Sequence, residues 1–179
     1  MHGRHTMRIA FLTAAAALLA APIHAQQAEP NPQIDYAGFV ELTGSLGPVR
    51  EAHRLGRDEF LRRAAADGAL LLDTRSARAF RAGHIDGAVN LPFSDFTEET
   101  LLEVIGADPN RPIFIYCNNN FIDDAPPVMT KMAPLALNIP TFINLHGYGY
   151  TNVWELAGVM PTSDVPWVSD LAEEETQDS

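Results

Sequence analysis

Short apolar runs that end at a polar residue constrain how this chain can fold more than any other feature. The run 69–72 ends at Asp73, and the β-branched and aromatic run 113–116 ends at Cys117. Four apolar residues without alternation are typical of a strand that is buried on both faces. Both runs therefore predict inner strands of a sheet that is covered on each side.

Helical patterns alternate with these runs. The segment 98–105 has Thr97 as a cap and Gly106 beyond its end, which predicts a helix. The remaining predictions are helices over 57–66, 77–81, 128–137 (shortened by Pro134) and 151–156, and strands over 88–91 and 141–145. Apolar spacing over 36–49 is too irregular to predict an element. The alternation predicts an α/β fold with a mostly parallel central sheet and helices on both faces.

The N-terminus predicts a secretory leader over residues 1–25. Arg4 and Arg8 precede the apolar stretch 9–21, and Ala25 is a small residue suited to cleavage. A membrane anchor is the alternative, but the stretch is shorter than the roughly 20 residues that cross a bilayer. We therefore predict export to the bacterial periplasm, without stable membrane insertion after cleavage.

The organisation predicted beyond the leader is a linker over 26–35, one domain over 36–162 and an acidic disordered tail over 163–179. Without the leader, ten basic residues stand against 23 acidic ones. Such a surface repels polyanions, so nucleic acid is not an expected partner. Cys117 is the only cysteine, so no internal disulfide can form, and an exported free thiol is expected to be buried or used.

Several segments, in order, resemble the rhodanese family. Residues 73–75 resemble its early Asp-x-Arg signature, and residues 83–92 closely resemble its Gly-His-Ile-x-Gly-Ala-x-Asn-x-Pro segment. The strand 113–116 leads into Cys117, where the family carries its reactive sulfur, and residues 147–161 are similar to its closing Gly, Trp and Pro elements. The resemblance covers about residues 55–162, the size of one domain.

The resemblance implies a sulfurtransferase in which Cys117 takes sulfane sulfur as a persulfide and passes it to cyanide or a thiol. It implies no cofactor or metal, and as partners a small sulfur donor or a thiol-containing protein. A loop that turns into a helix can aim backbone N–H groups at the sulfur, and such an anion cradle would lower the thiol pKa. The candidate substrate-binding residues are Asn118, Asn119, Asn120, Phe121, Ile122 and Asp123.

The loop departs from the family pattern Cys-x-x-Gly-x-Arg. Asn120 replaces the glycine, and asparagine tolerates the left-handed backbone such a turn requires. Ile122 replaces the arginine, while Asp123 and Asp124 would repel thiosulfate, so the sequence favours another donor. Asp123 also stands where the related phosphatases carry arginine, which excludes that activity. We predict an insertion over 123–127.

Other polar residues have structural interpretations. Asp73 and Arg75 are expected to organise a strand end, and His84 to hydrogen-bond within a turn rather than act as a base. His146 is a weaker functional candidate, and no His-x-x-x-His spacing indicates a metal. Two alternatives to catalysis stay open: a non-catalytic binding module, and a redox or sulfur carrier that forms a mixed disulfide through Cys117. We expect Cys117 to be exposed in a pocket, although a buried, inert cysteine is the simpler alternative.

Overall fold

The computed structural model describes residues 31–170 of the 179-residue chain. The predicted leader, the first part of the linker and the last nine residues lie outside the described residues. The α-helices are α1 (Tyr36–Ala52), α2 (Arg57–Ala64), α3 (Ala77–Ala82), α4 (Glu98–Ile105) and α5 (Asn138–Gly147). The strands are β1 (Arg54–Leu55), β2 (Leu70–Asp73), β3 (His84–Ile85), β4 (Val89–Asn90), β5 (Ile113–Tyr116), β6 (Val153–Leu156) and β7 (Trp167–Val168).

Five of the strands form one parallel sheet in the order β1-β6-β5-β2-β4. The remaining pair, β3 and β7, forms a small antiparallel sheet. Parallel neighbours need crossover connections, and short helices supply them here. The predicted α/β architecture with a mostly parallel sheet is confirmed.

Side chains from the inner strands alternate between two apolar clusters, one on each face of the sheet. Leu70 and Leu72 of β2 pack with residues of α4 and α5, whereas Leu71 packs on the other face with Phe60 of α2. β5 alternates in the same way, and all four of its residues are buried. The uninterrupted apolar runs of the sequence thus result from strands covered on both faces.

Two elements near the C-terminus have the opposite type from the prediction. The predicted strand 141–145 lies within α5, and the predicted helix 151–156 contains β6. β-branched and aromatic residues over 141–145 favoured a strand, but the buried residues Asn138, Thr141, Phe142 and Leu145 follow helical spacing. The spacing of the buried residues, not the β-branched composition, decides that the segment is a helix. This helix, α5, is the crossover between β5 and β6.

Three further segments differ from the prediction. α1 occupies the segment in which no element was predicted; none of its residues is fully buried, so no apolar stripe marks it. Residues 128–137 contain only a 3-10 turn at Ala133–Leu135 instead of a helix, in keeping with the proline. Residues 163–170 are not tail, since β7 pairs there with β3.

Within the described range, no helix has both the length and the apolar character required to span a bilayer.

Candidate active site

Cys117 lies directly after β5, the middle strand of the parallel sheet. Ligands of such sheets bind beyond the carboxyl ends of the strands, which is where the thiol stands. Its exposed fraction is 1%, so the expectation of an exposed cysteine is wrong. The thiol nevertheless lines a cavity of about 200 Å³. The other lining residues are Arg54, Asn119, Asn120, Ala136, Asn138, Glu155, Leu156, Gly158 and Val159.

Backbone N–H groups surround the sulfur from two sides. The backbone N–H groups of Asn138, Asn119 and Leu137 act on the sulfur through hydrogen bonds. The N–H of Asn120 instead donates to the Cys117 carbonyl oxygen at 3.1 Å and closes the 3-10 turn Asn118–Asn120. Leu137 and Asn138 form the start of α5, so the helix dipole adds to the stabilisation of an anion here. Of the predicted donors in the loop only Asn119 acts on the sulfur, and the other two donors come from the start of α5, a helix that the sequence pattern did not predict.

The second half of the predicted cradle is absent. The N–H of Phe121 donates to the carbonyl oxygen of Asn118 at 3.0 Å, and that of Ile122 donates to Met160 at 3.0 Å. The Phe121 side chain is buried in the apolar cluster of the α2 face. These two amides already have backbone acceptors, so they are not available to an anion at Cys117.

The pKa of the Cys117 thiol is raised, contrary to the expectation that the cradle would lower it. Burial is the main cause, because it disfavours the charged thiolate. The backbone donors Asn138 and Asn119 act in the opposite direction, and the carboxylate of Glu155 adds to the rise. The cradle therefore moderates a penalty that burial and a nearby acid impose.

The three consecutive asparagines hold three different parts of the site. Asn118 Nδ2 donates to the Met129 carbonyl oxygen at 2.8 Å. Asn119 exchanges two hydrogen bonds with the backbone of Lys131, at 2.7 and 3.1 Å. All three adopt ordinary right-handed or extended backbone, since Asp124 is the only described non-glycine residue with positive φ. Asn118 and Asn119 therefore anchor the long segment after the turn, whereas Asn120 Nδ2 donates to the carbonyl oxygens of Leu156 and Gly158 at 2.8 and 3.1 Å.

The acids that were expected to repel thiosulfate do not line the Cys117 cavity. Asp123 Oδ2 accepts the N–H of Thr162 at 2.9 Å, and Asp124 Oδ1 accepts the N–H of Thr130 at 2.8 Å. Ile122 is 62% exposed. The two aspartates close turns of the segment 121–137, which lies between the cysteine turn and α5.

A chain of buried polar side chains links the backbone N–H of Cys117 to α1. The Cys117 N–H donates to Asn120 Oδ1 at 2.9 Å, and Asn138 Nδ2 donates to the same oxygen at 3.1 Å and to Glu155 Oε1 at 3.3 Å. Arg50 of α1 completes the chain through an ion pair of 2.6 Å with Glu155 Oε1. Glu155 is 4% exposed, and its other oxygen, Oε2, has no hydrogen-bond partner among the described residues.

The sequence did not predict a role in the site for Glu155 and Arg50, which form the far end of this hydrogen-bonded series. A carboxylate inside the short apolar strand β6 is the signal that would have found Glu155, because a charge in a buried strand needs a partner. No sequence signal pointed to Arg50, since the partner comes from a helix that was not predicted.

The Asp-x-Arg signature forms a buried ion pair at the end of β2. Arg75 Nη2 lies 2.6 Å from Asp73 Oδ2 and donates to the carbonyl oxygen of Gly83 at 2.7 Å. Tyr116 donates its hydroxyl to Asp73 Oδ2 at 2.7 Å and accepts the N–H of Ile85 at 3.0 Å. These bonds connect β2, β5 and β3, which fits the organising role expected for the pair.

The two histidines lie in different surroundings. His84 Nδ1 is 2.9 Å from the Phe80 carbonyl oxygen, and its ring stacks on Phe80 with centroids 3.7 Å apart. This arrangement agrees with a structural role in the turn. His146 lies near the C-terminal end of α5, and its Nδ1 is 2.9 Å from the Phe142 carbonyl oxygen. Burial lowers the pKa of His146, so the imidazole is neutral at pH 7.

The parallel sheet and the buried cysteine at its central strand end define an α/β protein of the rhodanese type. A model of the family described as "Rhodanese-like domain" matches residues 57–161 of this chain, which is more than half of it. The chain belongs to the rhodanese-like domain family. This confirms the resemblance seen in the sequence.

Individual relatives are more distant. An HTH-type transcriptional regulator, Rv0324, of Mycobacterium tuberculosis is 37% identical over 81 residues, which are 45% of this chain and 33% of that protein. The chain thus spans about one third of the curated relative it matches. Among solved structures, the Alr3790 protein from Anabaena sp. has 16% identity and a TM-score of 0.45, covering 68% of this chain and 96% of that one. The BH2092 protein from Bacillus halodurans has 17% identity and a TM-score of 0.42, covering 65% and 74%.

Proposed function

We propose that the protein is a sulfur-transfer protein whose Cys117 carries sulfane sulfur as a persulfide. In the first step the Cys117 thiolate attacks the outer sulfur of a donor R–S–SH. The donor S–S bond breaks and its electron pair leaves on the R–S⁻ thiolate. In the second step an acceptor thiolate attacks the outer sulfur of the Cys117 persulfide, and the Cys117 thiolate is released. Neither step needs an external oxidant or reductant.

The observation that carries this proposal is the set of backbone donors on the sulfur. Asn119 acts on it from the turn after β5, and Leu137 and Asn138 act on it from the start of α5. A persulfide is more acidic than a thiol and places its charge one atom further out, so preorganised N–H groups at an open cavity stabilise it. An inert core cysteine would have apolar neighbours instead, as Ile115 has.

One observation favours a second candidate, the non-catalytic binding module. The Cys117 thiol is almost fully buried and its pKa is raised, so the thiolate fraction at neutral pH is small. A protein that uses the cavity only to hold a ligand has no need of a thiolate. Such a module should keep its ligand affinity when Cys117 is replaced by serine.

The experiment that separates the two is intact-mass spectrometry of the protein after incubation with a polysulfide and, separately, with thiosulfate. The matched control is Cys117→Ser. The result expected for a persulfide is a gain of one sulfur, about 32 Da, on the protein with Cys117 and not on the Cys117→Ser variant. Subsequent incubation with a small thiol should remove the added mass and produce the persulfide of that thiol.

Absence of any sulfur adduct would refute the proposal, provided that Cys117 still reacts with iodoacetamide. In that case the thiol is reachable but does not take sulfane sulfur, and the binding module becomes the working function. A thiol that does not react with iodoacetamide either would refute sulfur transfer as well, because no donor of larger size would reach it.

A further inference from the structure

The negative charge at the Cys117 cavity comes from Glu155, a residue outside the cysteine loop. Glu155 lines the cavity and is only 4% exposed. One of its oxygens, Oε1, accepts hydrogen bonds from Arg50 and Asn138, whereas Oε2 has no hydrogen-bond partner within residues 31–170. A buried carboxylate oxygen without a donor is costly, and a ligand that supplies an N–H group or a positive charge relieves that cost.

We propose that Glu155 makes this cavity selective for sulfur compounds that carry a positively charged nitrogen, such as a protonated amine or an amidinium, over anions such as thiosulfate. This inference rests on the proposed function, because it names the substrate class for sulfur transfer at Cys117. The selecting residue belongs to β6 and not to the loop that follows the cysteine. Buried charges are screened less by salt than exposed ones, so the preference persists at physiological ionic strength.

Other charged groups near the cavity do not cancel this effect. Arg50 neutralises part of the Glu155 charge, but it binds Oε1 and does not line the cavity. Arg54 lines the cavity, and its Nη1 lies 3.2 Å from Glu51 Oε2 in an exposed pair. Lys131 lines the neighbouring cavity with Asn118, not that of the thiol. The charge of Glu155 acts at the sulfur, since it raises the pKa of the Cys117 thiol.

The test compares two reagents of opposite charge that transfer the same kind of group to a thiol. The Cys117 thiolate attacks the divalent sulfur that carries the ethyl group in 2-aminoethyl methanethiosulfonate or in 2-sulfonatoethyl methanethiosulfonate. A mixed disulfide forms and methanesulfinate leaves with the electron pair. The measured quantity is the ratio of the two second-order rate constants at one pH. The thiolate fraction is common to both rate constants, so it cancels in the ratio.

Glu155→Gln removes the charge and keeps an acceptor for Arg50. A unit charge several ångströms away changes a rate by about twofold per unit of reagent charge even in a water-like dielectric. The reagents differ by two charges, so the ratio of cationic to anionic rates should fall by roughly fourfold or more in Glu155→Gln. Arg50→Gln removes the compensating cation and should raise the ratio. If the two substitutions change the rate ratio in opposite directions, charge is the cause. A general loss of structure would change the ratio in the same direction in both variants.

Two matched variants complete the design. Asp123→Asn removes an exposed carboxylate that does not line the cavity and should leave the ratio almost unchanged. Arg54→Gln tests the cation at the cavity and should raise the ratio only slightly. The proposal is overturned if Glu155→Gln leaves the ratio unchanged, if Arg54→Gln has the larger effect, or if neither reagent modifies Cys117.

This test is separable from that of the proposed function. The rate ratio depends on the charge at the thiol and not on persulfide formation. A protein that takes no sulfane sulfur but shows the expected ratio would contradict sulfur transfer and keep the charge preference. A protein that forms the persulfide but reacts equally with both reagents would support sulfur transfer and contradict the charge preference.

Discussion

Removal of the Arg75 guanidinium should destabilise the fold far more than removal of a surface arginine from an ion pair of equal length. Arg75 and Asp73 pair at 2.6 Å with side chains that are 3% and 0% exposed. Arg62 and Glu59 pair at the same 2.6 Å with side chains that are 69% and 46% exposed. Distance is thus matched, and burial is the variable.

The magnitude follows from what Arg75→Met leaves behind. The Asp73 carboxylate keeps the Tyr116 hydroxyl and one backbone N–H but loses the guanidinium, and the Gly83 carbonyl oxygen loses its donor. A buried ion pair that loses one partner costs about 3–5 kcal/mol, because the remaining charge stays buried. The Arg62→Met change leaves Glu59 in water, where solvent replaces the partner.

Urea unfolding followed by circular dichroism measures both variants. With an m-value of about 2 kcal/mol/M, Arg75→Met should lower the midpoint by roughly 1.5–2.5 M. Arg62→Met should leave the midpoint within the error of the fit. An equal effect of the two substitutions would refute the reasoning, since it would mean that burial does not decide the contribution of these pairs.

Three further outcomes are expected. The alkylation rate of Cys117 should rise with pH through a midpoint above that of the unfolded chain, because burial raises the pKa of the thiol. The matching contribution to stability is present below the pKa of the unfolded thiol and is lost as the pH rises through the folded-state pKa. Chemical unfolding at several pH values measures this loss. Gly83→Ala should cost about 1–3 kcal/mol in thermal unfolding, since the new methyl group would clash with the Trp167 indole. Tyr116→Phe should cost about 1–3 kcal/mol in urea unfolding, because the buried N–H of Ile85 loses its acceptor, and an unchanged midpoint would contradict that role.

The local sequence was sufficient to predict the strands that form the middle of the sheet. β2 and β5 are uninterrupted apolar runs, and no other element explains such runs at that length. α4 was predicted with its observed ends because Thr97 and Gly106 mark them by side chain and by backbone freedom. The fold class and the position of Cys117 follow from these elements.

Tertiary contacts decide what the sequence did not reveal. α5 has a strand-like composition, and the helical spacing of its buried residues becomes evident only from their packing against the sheet. The start of α5 supplies cradle donors, so an error in that element carried over into the predicted site. Glu155 and Arg50 are 105 residues apart, and no local pattern relates them. The raised pKa of the thiol likewise depends on burial, which spacing alone does not give.

The ion pair between α1 and β6 bears on where this protein can be truncated. The family match begins at residue 57, after both α1 and the edge strand β1. A protein shortened to that boundary would lose Arg50, so the Glu155 carboxylate would remain buried beside the thiol without its cation. It would also expose the hydrogen-bonding edge of β6, where β1 now pairs, and unpaired edges promote aggregation. The smallest unit suited to expression therefore begins at Asp35, the cap of α1, about 20 residues before the start of the family match.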